Sequence, residues 1–199
     1  MTVTANGIRR QTVTVWFVDI VGFTALVDEM DCADVRALQM DYFRAVSAVV
    51  RDQGGVVEKY VGDAVMAVFG LSPGDPGEGA AAAVRAGLRV QEVLRGRHLA
   101  GRFPVSTRVG VATGDVIVDL DTAHDGGQAM ISGSVVSTAA RLQAYAPHDT
   151  VVVCSATRAA SDSAIAYQEL PPVAVPGKAQ PVELSRALHP QDARTVALC

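Results

Sequence analysis

A short apolar run that ends in a carboxylate constrains this chain most. Val13–Val18 reads VTVWFV and leads directly into Asp19, after which the chain turns into a helix through Ile20–Thr24. The length of the run and its β-branched residues predict a buried strand. The sequence therefore predicts a carboxylate at the exit of a core strand.

A second carboxylate lies at the tip of a predicted β-hairpin. The segment Val56–Gly70 reads VVEKYVGDAVMAVFG, with two apolar stretches on either side of Gly62 and Asp63. This is the strand–turn–strand pattern of a hairpin. In a sheet that places this hairpin beside the first strand, Asp19 and Asp63 emerge at the same edge.

Such a pair of carboxylates has a chemical use. Two carboxylates and substrate phosphates are a usual way to hold Mg²⁺. The backbone N–H groups of Gly22, Phe23 and Thr24, at the predicted helix start, suit phosphate oxygens. From spacing alone a second interpretation stays equally open, in which Asp19 caps the helix and Asp63 merely suits a turn.

The remaining pattern predicts one α/β (α+β) sandwich. Helices are expected over 34–52, 78–95 and 134–145, because apolar residues recur there at helical spacing. Residues 106–118 are expected to form two strands joined at Gly114 and Asp115. Strands and helices alternate without the regular order of a doubly wound fold, so we expect a ferredoxin-like or palm-type, mainly antiparallel sheet with helices packed on it.

Composition excludes several classes of protein. The chain has 199 residues, 49% of them hydrophobic, which fits one folded domain. A net charge of −4 argues against nucleic-acid binding through a basic face. Apolar runs stay below the ~18–20 residues of a membrane span, and no signal-peptide core is evident. Three separated cysteines without a CxxC pair indicate reduced thiols, so we expect a cytoplasmic protein without membrane contact.

Five segments resemble parts of class III nucleotidyl cyclases. FVDIVGFT, Phe17–Thr24, is similar to the signature F-x-D-I-x-G-F-T at every fixed position. EKYVGD, Glu58–Asp63, resembles the family's second metal motif. TRVGVATG, Thr107–Gly114, resembles the R-x-G-h-x-x-G strand and turn, where h is apolar. STAARL, Ser137–Leu142, resembles the N-x-A-A-R-L helix, and the segment 176–184 resembles the closing hairpin.

The resemblance also implies domain limits and a mechanism. It covers residues 12–188, which we expect to be the catalytic domain between an extension, 1–11, and a tail, 189–199. The family cyclises ATP to 3′,5′-cyclic AMP and pyrophosphate, or GTP to its cyclic product, with two Mg²⁺ or Mn²⁺ ions per active site. Its active sites form in a head-to-tail homodimer, where an arginine from one copy faces the metal pair of the other.

Carried over residue by residue, the family's roles fall on named positions. The metal ligands would be the carboxylates of Asp19 and Asp63 and the carbonyl oxygen of Ile20. Arg141 would stabilise charge on the transferring phosphate of the partner's site. Amides near Gly22 would bind the departing pyrophosphate.

Three further positions bear on base choice and rate. Lys59 stands where adenylyl cyclases place a lysine against adenine and guanylyl cyclases usually carry Glu, which implies ATP. Ser137 stands where the family has a catalytic Asn, and Met130 where it has an adenine-reading Asp or Thr; a shifted register would supply Asp125 or Gln128 instead. The resemblance thus implies an adenylyl cyclase slowed at these positions. The alternative is a degenerate domain that binds nucleotide or a partner without significant turnover.

Overall fold

The computed structural model describes residues 8–72, 75–119, 131–173 and 181–189. These residues form a mostly antiparallel sheet with helices on both faces. The strands are β1 (Ile8–Ile20), β2 (Val56–Val61), β3 (Ala64–Phe69), β4 (His98–Leu99), β5 (Phe103–Pro104), β6 (Thr107–Asp119), β7 (Ile131–Ser132), β8 (Thr150–Cys154), β9 (Tyr167–Val173) and β10 (Val182–Ala187). The helices are α1 (Phe23–Asp28), α2 (Cys32–Asp52), α3 (Pro76–Leu94), α4 (Ser134–Tyr145) and α5 (Ser155–Ser161).

The strand order places β1 at the centre of the site-bearing half of the sheet. Within the described residues the main sheet has eight strands in the order β2-β3-β1-β6-β8-β10-β9, with β7 added beside β6. Only the β6–β8 pair is parallel; the other pairs of this sheet are antiparallel. β1 therefore lies between the β2–β3 hairpin and β6. The expected mainly antiparallel sheet with packed helices is confirmed.

Alternate residues of β1 face two separate hydrophobic cores. Trp16 and Val18 belong to the core that the sheet shares with α2 and α3. Val13 and Val15 belong to a second core that includes Leu142 of α4. All four β1 residues are 2% exposed or less. Burial on both faces explains why this strand reads as an almost continuous apolar run.

The segment after residue 106 differs from the sequence prediction. We expected two strands joined at Gly114 and Asp115, but β6 is one strand of 13 residues. Asp115 pairs with Thr12 of β1, and its carboxylate accepts hydrogen bonds from Thr12 Oγ1 at 2.6 Å and Arg10 Nη2 at 2.7 Å. Pairing with the long β1 thus overrides the turn preference of a Gly-Asp sequence. The predicted hairpin at Gly62 is confirmed, with β2 and β3 on either side.

A close backbone approach fixes α4 on the sheet. A Cβ placed on Gly110 of β6 would lie 2.2 Å from the backbone N of Gln143 and 2.4 Å from the carbonyl O of Ala139. No side chain fits at such distances, so glycine lets the helix backbone rest directly on the strand. The positions of α4 side chains relative to β1 and β6 follow from this contact.

Candidate active site

The two sequence-predicted carboxylates meet at one edge of the sheet. β1 and β3 are antiparallel neighbours with Val18 opposite Val65, so the end of β1 reaches the β2–β3 turn. The backbone N–H of Ile20 donates to Asp63 Oδ2 at 3.0 Å. Asp19 and Asp63 thus come together although they belong to different strands.

Their proximity alters the acidity of Asp63. The pKa of this half-buried carboxyl is raised to about 7, first by burial and then by its hydrogen bond and charge repulsion with Asp19, while the Ile20 N–H acts in the opposite direction. Two carboxylates this close cannot both ionise cheaply. A bound cation would remove that penalty.

Asp19 is anchored by two donors on neighbouring elements. Gln143 Nε2 of α4 donates to Asp19 Oδ2 at 2.9 Å, and Arg108 Nη2 of β6 donates to the same oxygen at 3.2 Å. The Asp19 side chain keeps 20% of its surface exposed. Both donors use Oδ2, so neither of them occupies Oδ1.

The arrangement fits a hard divalent cation that is only partly enclosed by protein. Oxygen ligands from Asp19 and Asp63, with the backbone carbonyl at the end of β1, match the preference of Mg²⁺ and Mn²⁺. No group of three or more His, Cys, Asp or Glu side chains gathers around a point in the described ranges. Two carboxylates and one carbonyl would leave coordination positions of such a cation for water and phosphate oxygens.

The turn that follows β1 leaves room at its surface. Gly22 has a left-handed backbone, φ +71°, and a Cβ there would meet nothing within 4 Å. Phe23 packs against the core that the sheet shares with α2 and α3, whereas Thr24 is exposed. The first N–H groups of α1 have no acceptor within the helix. Since α1 has only six residues, its dipole is small. An anion at this turn would therefore be bound mainly by these amides.

Lys59 lies on β2 with its ammonium group held by a buried neighbour. Lys59 Nζ is 3.3 Å from Glu58 Oε2, and the two side chains are 26% and 1% exposed respectively. The pairing register of β2 shifts between Val57 and Lys59, so Glu58 lies in a β-bulge. The bulge brings adjacent charges together and leaves the ammonium partly open to solvent.

Arg141 and Ser137 lie one turn apart on α4, away from the acidic pair of their own chain. Ser137 is exposed and Arg141 half-buried, and within the described residues Arg141 has no hydrogen bond or ion pair. Gln143, which contacts Asp19, is about 200° around the helix from Arg141. The chain therefore does not bring Arg141 to its own Asp19. Met130, Asp125 and Gln128 lie outside the described residues.

Sequence reasoning missed three residues beside the acidic pair. Gln143 was not singled out, although a glutamine on the apolar face of a predicted helix is a usable signal. Arg108 was noted only as part of a motif. Tyr42 of α2 is fully buried with a hydroxyl that lacks a hydrogen-bond partner. Burial, and then the charges of Asp63 and Asp19, raise the pKa of this hydroxyl.

Comparison with known proteins identifies the family. The family model for the adenylate and guanylate cyclase catalytic domain matches residues 7–185. An uncharacterised protein of Rhizobium meliloti is 31% identical over 92% of this chain and 18% of its own length. The adenylyl cyclase CyaB from P. aeruginosa superimposes with a TM-score of 0.79 at 26% identity, covering 92% of this chain and 96% of that one. The guanylate cyclase domain of RhGC from Catenaria anguillulae, crystallised with GTP, also gives 0.79, at 20% identity over 90% and 98%.

The chain belongs to the adenylate and guanylate cyclase catalytic domain family, and its fold is the palm fold of these enzymes. The cyclases of this family are lyases that depend on metal ions. The fold does not separate adenylyl from guanylyl cyclases, because structures of both kinds superimpose equally well. The chain spans less than a third of the length of the curated relatives it matches. The helices of its described part include none that could cross a membrane.

Proposed function

We propose that this chain is an adenylyl cyclase that converts ATP to 3′,5′-cyclic AMP and pyrophosphate in an active site shared by two copies. The observation that carries the proposal is the acidic pair Asp19 and Asp63, brought together at the sheet edge in a chain of the cyclase family. Residues 12–188 would form the catalytic domain, with 1–11 and 189–199 outside it. A cytoplasmic location stays a prediction.

The acidic pair and the carbonyl oxygen of Ile20 would hold two Mg²⁺ or Mn²⁺ ions. When bound, such ions lower the pKa of the ribose 3′-hydroxyl and neutralise charge on the reacting phosphates. Asp63 contributes by giving up the proton that its raised pKa retains in the metal-free state. Asp19 would contribute its carboxylate, which Gln143 and Arg108 orient through hydrogen bonds to Oδ2.

The turn after β1 would bind the triphosphate. The amides of Gly22, Phe23 and Thr24 have no acceptor within α1, and the space beside Gly22 is open. Backbone N–H groups placed in this way bind phosphate oxygens without a side chain between them. They would stabilise the charge on the departing pyrophosphate.

Arg141 and Ser137 would act on the nucleotide held by the partner in a head-to-tail homodimer. Supporting this, Arg141 lacks an ion-pair partner in the described residues and lies on the side of α4 away from its own Asp19. A guanidinium group is suited to bidentate contact with a phosphate. The Ser137 hydroxyl could hydrogen-bond the ribose, although it offers less reach than an amide.

Lys59 supports ATP over GTP as the substrate. Its ammonium group is a donor, and adenine N1 is an acceptor, whereas guanine N1 carries a hydrogen. Glu58 holds Lys59 at 3.3 Å and would orient it. A lysine at this position therefore matches adenine.

The second candidate function is a degenerate cyclase domain that binds nucleotide without turnover. Ser137 favours it, because the family places an asparagine there, and Met130 favours it, because a thioether is a weak hydrogen-bond acceptor for the adenine amine. The complete acidic pair weighs against it. Direct assay separates the two functions.

The decisive assay measures cyclic AMP and cyclic GMP made by the purified chain from MnATP or MnGTP over a range of protein concentrations. We expect cyclic AMP as the main product, with specific activity that rises with protein concentration because the site needs two copies. Asp63→Ala serves as the inactive control. Bound nucleotide without product at high concentration would support the degenerate domain instead.

A further inference from the structure

Helix α4 presents functional side chains on two opposite faces. Arg141 and Ser137 lie on one face, whereas Gln143 is 7% exposed and lies on the face that packs against the sheet. Gly110 holds the helix backbone against β6 at this level. Gln143 reaches from there to Asp19 on the neighbouring strand β1.

Two donors from different elements hold the same oxygen of Asp19. Asp19 and Arg108 are directly opposite each other on β1 and β6. Arg108 Nη2 and Gln143 Nε2 both donate to Oδ2. These two bonds orient the carboxylate so that Oδ1 is the oxygen they leave unused.

Arg108 and Gln143 differ in charge, so they have different effects on a cation that approaches Asp19. The guanidinium group of Arg108 neutralises Asp19 and repels an incoming cation. The amide of Gln143 is neutral, so it orients the carboxylate while leaving the negative charge for the metal. Outer-shell hydrogen bonds of this kind tune the affinity of metal sites. Gln143 is therefore the donor compatible with a metal-bound Asp19.

We propose that Gln143 is a positioning residue for metal binding by Asp19, so that each α4 helix contributes to two active sites. Gln143 supports the acidic pair of its own chain, and Arg141 serves the partner's nucleotide. The inference rests on the proposed function, since it assumes that Asp19 binds metal and that sites are shared. Gln143 acts through Asp19 and does not contact substrate.

Direct metal binding tests the proposal without relying on turnover. Free Mn²⁺ would be measured by electron paramagnetic resonance in the presence of 3′-deoxy-ATP, which lacks the attacking hydroxyl. Gln143→Met keeps the side-chain length but removes the donor, and we expect it to weaken Mn²⁺ binding about tenfold. Gln91→Met is the matched control, because Gln91 is also buried, at 3% exposure, and its Nε2 has no hydrogen-bond partner. We expect its Mn²⁺ affinity to stay within about twofold of wild type.

A second variant and a folding measurement separate positioning from a loss of structure. Gln143→Leu also removes the donor without adding a charge, so Mn²⁺ binding should weaken about as much as in Gln143→Met. Far-ultraviolet circular dichroism and thermal melts verify that each variant is folded. A folded Gln143→Met or Gln143→Leu chain that binds Mn²⁺ like wild type would overturn the inference. A wild-type chain that does not bind Mn²⁺ would contradict both the proposed function and this inference.

Mixed dimers test whether the effect stays within one chain. Asp63→Ala and Arg141→Ala chains together leave one complete site, whose acidic pair comes from the Arg141→Ala chain. Adding Gln143→Met to that chain should raise the Mn²⁺ concentration for half-maximal activity about tenfold. Adding it to the Asp63→Ala chain should leave that concentration unchanged. Equal shifts from both placements would contradict the assignment of Gln143 to its own Asp19.

Discussion

Gln143 and Asp19 are 124 positions apart in the sequence and are joined by a hydrogen bond of 2.9 Å. This bond connects the helix that carries Arg141 with the strand that carries one half of the acidic pair. It depends on Gly110, because only glycine allows α4 to rest on β6 at that level. The sheet edge that carries the acidic pair and α4 are therefore one structural unit.

The close packing at Gly110 predicts a large effect of one methyl group. Gly110→Ala would place a Cβ 2.2 Å from backbone N of Gln143, so α4 must move and the free energy of unfolding should fall by about 2–3 kcal/mol. Gly114→Ala on the same strand is the control, because its nearest neighbour would be Val135 Cβ at 3.4 Å. It should change stability by less than about 0.5 kcal/mol. Urea unfolding of both variants checks this, and equal stabilities would contradict the described packing.

The raised pKa of Asp63 predicts a pH dependence of stability in the metal-free chain. The carboxyl titrates near 3.8 when unfolded and at about 7 when folded, so the folded state binds more protons between these values. The free energy of unfolding therefore falls as pH rises through this window. Asp63→Asn cannot ionise and still accepts from Ile20, so it should be more stable than wild type at pH 8 by on the order of 1–2 kcal/mol, a figure reduced because the half-exposed group is screened by solvent.

Thermal melts in a chelator at pH 5 and pH 8 measure this difference. The stability advantage of Asp63→Asn should be smaller at the lower pH and larger at the higher one. Parallel pH profiles for wild type and Asp63→Asn would show that the acidic pair does not repel in the folded chain.

Position 137 offers a gain-of-function test. Ser137→Asn restores the amide found at this position in the family, which has both a donor and an acceptor for the ribose and phosphate. If the slowed-enzyme account is right, the rate of cyclic AMP formation at saturating MnATP should rise about tenfold, or about 1.4 kcal/mol of transition-state stabilisation. An unchanged or lower rate would count against the placement of Ser137 in the site.

The sequence predicted that Asp19 and Asp63 meet if the hairpin lies beside the first strand, and the pairing of β1 with β3 meets that condition. One residue ends a buried strand and the other marks a hairpin tip, and both signals are local. It could not predict that Gln143 and Arg108 anchor Asp19, because that contact depends on how α4 is rotated on the sheet. The turn expected at Gly114 and Asp115 was wrong for a related reason.

That error shows how tertiary pairing overrides local preference. A Gly-Asp sequence favours turns, but here Asp115 is bound by Thr12 and Arg10 across a strand pair that runs for the full length of β1. The residues that fix the strand conformation at Asp115 lie about a hundred positions earlier in the chain. The residue pattern within β6 alone therefore could not predict that β6 is one continuous strand.

The most direct test of a shared cyclase site is complementation between two inactive chains. Asp63→Ala removes half of the acidic pair, and Arg141→Ala removes the guanidinium group supplied to the partner, so each chain alone should make almost no cyclic AMP from MnATP. Mixed in equal amounts, about half of the dimers contain one chain of each kind, and each of these has one complete site. We predict recovery of about a quarter of the wild-type activity. No recovery in mixed dimers, or full activity of Arg141→Ala alone, would contradict the account.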